Sequence, residues 1–195
     1  MENTEKLQKV LTTTTPIPPL YNYYKGLTQN IIYINEEIDD SIYDTVIIPL
    51  IDMDKDSTVE KITLYINTPG GLLYSGFALI DVIEKLSTPT DIIIIGVAAS
   101  MGGMIAMAGH NNPNITTYCY PHSVGLIHSG ETFLTGNTNS VRDTHKFNER
   151  YEQKIKSYIL THSTITEDMY KDIERKEFWM TAEDMLKYGI VDKIL

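Results

Sequence analysis

Ser100 lies in GVAASMGG (96–103), at the end of the apolar run DIIIIG and just ahead of a helix-like segment. Its neighbours are too small to fill a core. The plainer reading is a small residue that lets a helix start pack closely, as Ala98, Ala99 and Gly102 do. The chemical reading is a nucleophile, because a strand-to-helix transition leaves backbone N–H groups unpaired and able to hold a developing oxyanion. The stretch is not a G-x-S-x-G elbow, since Ala98 stands where the first glycine would be.

A serine nucleophile needs a base, and the chain offers His110, His122, His128, His145 and His162. His128 is best placed. It ends the apolar run SVGLI, at the carboxyl end of a strand, where side chains project into a crevice. His110 and His122 flank loops, and His145 and His162 fall on a long helix as ordinary surface residues. A second glycine-rich point, NTPGG (67–71), also marks a strand giving way to a helix. It reads either as a tight turn or as a backbone able to approach a substrate carbonyl and offer it an N–H. Two such strand ends and the histidine define one crevice.

The elements that would position these residues follow from periodicity. NIIYIN (30–35), KITLYIN (61–67) and DIIIIGV (91–97) read as strands, the third covered on both faces as in a parallel sheet. Leu72, Gly76, Leu79, Ile83 and Leu86 recur at helical spacing between the second and third. A helix over 38–53 should be kinked or shortened by Pro49. After a short helix at 100–109, ITTYCY and SVGLIH are strands. A long amphipathic helix (139–162) follows, with Val141, Thr144, Asn148, Tyr151, Ile155 and Tyr158 on one face. EDMYKDIERK and TAEDMLKYG are short helices, the second capped by Thr181 and stopped by Gly189, and IVDKIL is a last strand. Alternating strands and helices give the α/β class.

At 195 residues the chain suits one domain, 21–195, behind a polar, proline-broken mobile arm, 1–20. Sixteen basic against 26 acidic residues, a formal charge of −10, argue against nucleic acid as a partner. No apolar run reaches membrane-spanning length, and MENTEKLQKV has no signal-peptide core. The single cysteine, Cys119, cannot form an internal disulfide and no Cys/His cluster suggests a metal, so a cytoplasmic setting is expected.

YINTPGG, GVAASMGGMIAMAG, VGLIHSG and TAEDMLKYGIVDKIL, in that order, resemble the proteolytic subunits of the ATP-dependent Clp protease from about Ile31 onward. The resemblance implies a ClpP/crotonase-like fold of repeated strand-strand-helix units with a protruding long helix. It puts the nucleophile on Ser100, the base on His128 and the oxyanion donors on the N–H groups of Gly71 and Met101. The family's acid is an aspartate, absent from ERKEFWMTAED. Counting back from Thr181 without a gap puts Glu177 there, aligning on Phe178 puts Lys176 there, and Asp172 is the fallback; a lysine could not orient an imidazole. Ser129 and Gly130 follow the histidine where Gln-Pro is usual. Such divergence is found in phage as well as bacterial members.

The activity so implied is a serine endopeptidase for unfolded or extended peptides, needing no metal or organic cofactor. Its partners would be further copies of itself, in heptameric rings stacked in pairs as a tetradecamer, and a Clp-type ATPase. Two rivals stand beside it: a ring subunit that does not cleave, and a crotonase-type acyl-CoA enzyme.

Overall fold

The structure, a computed structural model, describes residues 18–130 and 134–195. A helix α1 (Pro18–Leu27) leads into β1 (Ile31–Ile34). A π-helical turn (Tyr43–Ile47) then runs directly into α2 (Ile48–Lys55). The alternation continues with β2 (Ile62–Thr68), α3 (Leu73–Ile83), β3 (Thr90–Ala99), α4 (Met101–Met107), β4 (Ile115–Cys119) and β5 (Val124–Ile127). The chain ends with α5 (Thr138–Thr161), α6 (Glu167–Ile173), β6 (Phe178–Met180), α7 (Ala182–Lys187) and β7 (Lys193–Ile194).

The main sheet runs β1-β2-β3-β4-β7, and every neighbouring pair is parallel. Its inner face is a ladder of aliphatics: Ile32 faces Leu64, which faces Ile92, and Ile34, Ile66 and Ile94 repeat the row one step on. All six are buried beneath a core shared with Leu79, Ile80 and Ile83 of α3 and Ile105 of α4. Thr181 closes a reciprocal capping box with Asp184 at the start of α7, as its place in the sequence suggests.

β3 does two jobs. Its first half pairs with β4, Thr90 to Ile94 against Ile115 to Cys119, and its last three residues pair with β5, Val97 to Ala99 against Val124 to Leu126. Between them the register with β2 slips, from Ile66 facing Ile94 to Thr68 facing Ala98. Gly96 makes the slip with φ of 86°, a conformation that side-chain-bearing residues avoid. The Asn67 carboxamide enters the gap and accepts from the Val97 N–H at 3.2 Å. At the fork the Ile94 carbonyl accepts from both Tyr120 N–H (3.1 Å) and the Ser123 hydroxyl (2.9 Å). The bend carries the end of β3 away from β4 and against β5.

Four expectations need correction. β3 is covered on both faces only in part: on its outer face Ile93 is buried, but Ile95 is 38 % exposed and Tyr33, on that same face, 40 %. The helix expected over 38–53 begins later, because Ile38 is instead bridged to Gly71. Pro49 does not break it; lacking an N–H, it falls in the first turn of α2 just after the wide turn. The helix expected to run to Lys176 stops at Ile173, and the residues beyond form β6, antiparallel to β5. Of the arm drawn at 1–20, residues 1–17 lie outside the described residues, and 18–20 already belong to α1.

Candidate active site

Ser100 is the hinge between β3 and α4. Its φ of 54° and ψ of −118° lie where L-residues are strained, at a cost on the order of 1–3 kcal/mol. Two main-chain bonds hold it there: its N–H donates to Leu126 O at 2.8 Å, and its carbonyl accepts from Met104 N–H at 3.2 Å. The strained turn lifts the hydroxyl off the sheet axis toward the end of β5. There His128 waits, one residue beyond the strand, with Nε2 2.9 Å from Ser100 Oγ. Both residues are half-buried.

The second glycine-rich turn closes on the same place. A Cβ built on Gly70, whose φ is 98°, would sit 2.7 Å from Ser100 Cβ and 3.0 Å from Met101 N. Only a glycine lets the two strand ends meet so closely. The Thr68 hydroxyl accepts from Gly70 N–H at 3.1 Å and donates to Glu36 O, while Ile38 N–H donates to Gly70 O at 2.7 Å. Ile38 O in turn accepts from Leu72 N–H at 2.6 Å. These bonds fix the turn without using the Gly71 N–H. Met101 opens α4, where a helix has no internal acceptor for its N–H. Ser100 at the end of β3, His128 just past β5 and Gly70 just past β2 therefore stand on three converging strand ends, with Gly71 and Met101 as their chain neighbours.

Glu177 is placed just ahead of β6. β6 pairs with β5 as Gly125 with Met180, Leu126 with Trp179 and Ile127 with Phe178. One residue further, the same register sets Glu177 opposite His128. Its carboxylate Oε2 accepts from the Trp179 indole N–H at 2.8 Å, and no hydrogen bond joins it to the imidazole. Asp172 is exposed on α6 and Lys176 exposed in the turn after it. Nothing in the sequence marks Trp179, because a strand of three residues carries no period of its own; the two-residue period of β6 is what puts Trp179 on the same face as Glu177.

The remaining histidines lie elsewhere. His110 and His122 are exposed, and His145 is an exposed helix residue 3.8 Å from Glu149. His162 is not the ordinary surface residue expected: its side chain is 12 % exposed, pairs with Glu84 at 3.1 Å and stacks on Tyr158 at 4.0 Å. Among the described residues no group of three or more His, Cys, Asp or Glu side chains could hold a metal, and no helix is long and apolar enough to cross a membrane.

A family model described as Clp protease matches residues 19–195. The ATP-dependent Clp protease proteolytic subunit of Deinococcus radiodurans is 27 % identical over 174 residues, 89 % of this chain and 83 % of the relative. Proteolytic subunit 2 of Thermobifida fusca is 29 % identical over 186 residues, 94 % of this chain and 90 % of the relative. The proteolytic subunit of Carsonella ruddii is 30 % identical over 174 residues, covering 89 % and 87 %.

Proposed function

This chain belongs to the Clp protease family, and from that premise we propose that it is a serine endopeptidase whose nucleophile is Ser100 and whose general base is His128. The 2.9 Å contact between Ser100 Oγ and His128 Nε2 carries the reading. With the imidazole neutral and its proton on Nδ1, Nε2 accepts the serine proton as Oγ attacks the carbonyl of a peptide bond. The tetrahedral oxyanion takes hydrogen bonds from the N–H groups of Gly71 and Met101, at the two turns that meet beside Ser100. Collapse sends the Nε2 proton to the leaving amine, and water, deprotonated by the same nitrogen, hydrolyses the acyl-enzyme. Glu177 orients the ring by accepting from Nδ1–H.

Extended or unfolded peptides are the substrate class in this reading, and stacked heptameric rings working with a Clp-type ATPase in the cytoplasm are the assembly. Support comes from the family and from the names of the relatives, which are proteolytic subunits of an ATP-dependent protease. A ring subunit that does not cleave is the reading to test against, because Glu177 is bonded to Trp179 and not to His128. Hydrolysis of a fluorogenic peptide, with fluorophosphonate labelling of wild type beside S100A, separates the two. Cleavage and labelling by wild type, both lost in S100A, support the peptidase; wild type inert in both assays overturns it.

A further inference from the structure

Trp179 is the chain's single tryptophan, and it stands 55 % exposed on a three-residue strand. A large indole left that open contributes little to a core. Its N–H is nevertheless engaged, donating at 2.8 Å to one oxygen of Glu177. We propose that Trp179 is a positioning residue for the reaction, holding the Glu177 carboxylate where it can meet the His128 ring; the inference rests on the reading of Glu177 as the orienting acid.

Glu177 is exposed and has three side-chain rotors, so an unheld carboxylate would sample many positions, and ordering it for catalysis costs entropy. Trp179 has two rotors, fewer than Glu177, and its backbone is fixed by the pairing of β6 with β5. Residues 177 and 179 are two apart, and so share a face of the extended chain. The register of β5 with β6 puts Trp179 across from Leu126 and, one step on, Glu177 across from His128. The indole thus acts as a post beside the acid, on the strand neighbouring the base. A charge-assisted bond to one oxygen is among the stronger kinds, and it leaves the second oxygen free to accept from the Nδ1–H of His128.

Peptide hydrolysis by W179F, E177A and the double variant tests this, with thermal melting as the check on folding. W179F keeps an aromatic ring and removes the donor. Expected are a fall in kcat on the order of tenfold with KM unchanged, a larger fall for E177A, and no further loss when W179F is added to E177A. W179F at wild-type kcat beside a damaged E177A overturns the positioning role and leaves Glu177 as the acid. A neutral E177A removes both claims. A raised KM at unchanged kcat, or losses that add fully in the double variant, assigns Trp179 to substrate contact or to the fold and overturns the proposal. Should W179F fail to fold, the emission of Trp179 in wild type and E177A, which removes the acceptor, is compared: a shift is expected, and identical spectra overturn it.

Discussion

Ser100 pays for its position in backbone strain, and that makes the residue testable apart from its chemistry. S100A should abolish peptide cleavage while folding normally, because alanine fits the same small site; a purified S100A cleaving at the wild-type rate would refute the assignment. S100G should be equally inactive yet melt above S100A, since glycine adopts φ near 54° without the Cβ penalty. The gain should be about 1 kcal/mol after glycine's own entropic cost is deducted, and chemical denaturation of the two variants measures it. H128A should be as damaging as S100A, and the double variant no worse than either, because members of such a unit do not add. At this scale the sequence was informative where chemistry and strand ends coincide. Ser100, His128 and the NTPGG turn each close an apolar run, so their convergence could be read from residue type and place. The Trp179–Glu177 bond could not, since it depends on a strand of three residues whose identity comes only from pairing with β5.

Elements explain how those residues reach one another. β3 must turn from β4 to β5 within two residues, and Gly96 alone supplies that turn. G96A should destabilise the protein by at least the 1–2 kcal/mol of a left-handed Cβ, and more because that Cβ would lie 2.7 Å from Asn67 Oδ1. Activity should fall with stability, since the same bend delivers Ser100 to His128; a lower denaturation midpoint with full kcat would separate the two. The strands were legible as short β-branched runs bounded by polar residues. The fork was not, because four isoleucines in a row carry no mark of where one partner strand ends and another begins. At the other side of the core, α5 is moored by Tyr158, whose hydroxyl donates to Met104 O at 3.1 Å. Burial, with Glu84 and Asp81 nearby, pushes that phenol far above its ordinary value. A pKa raised in the folded state means the contribution is complete below about pH 10, where the unfolded phenol titrates, and is lost as pH rises beyond it. Y158F should cost about 1 kcal/mol at neutral pH and make unfolding above pH 10 less steep. Some slope will remain, because burial raises Tyr151 and Tyr170 as well.

The whole molecule is lopsided in a way that bears on assembly. α5 has 24 residues, a rod of about 36 Å at 1.5 Å per residue, yet its buried residues are only Tyr158 and Ile159, near its C-terminal end. An aromatic chain follows that docked end: His162 on Tyr158, Tyr158 on Phe77, Phe77 on Tyr151, and Tyr151 on Phe147. There it runs out of domain. Phe147 is 40 % exposed, and from Asn139 to Lys146 every residue but Val141 is exposed. A helix whose first three turns touch no core is stabilised poorly by its own chain, since most helical stability in proteins comes from packing one face. A second copy of the chain would supply that packing, which fits the stacked rings proposed from family membership. Wild type should therefore sediment as a species many times the 22.1 kDa of one chain, and F147E, which places a charge on the unpaired end of the aromatic chain, should shift it toward smaller species. Phe147 is not among the buried residues of its helix, and the contact it makes there is with Tyr151, so F147E should cost the separated subunit less in melting than it costs the assembly. Wild type running as a monomer across micromolar concentrations with full peptidase activity would remove the ring from this account. F147E assembling as wild type does would instead move the contact off α5, to the outer sheet face where Tyr33 and Ile95 are left uncovered.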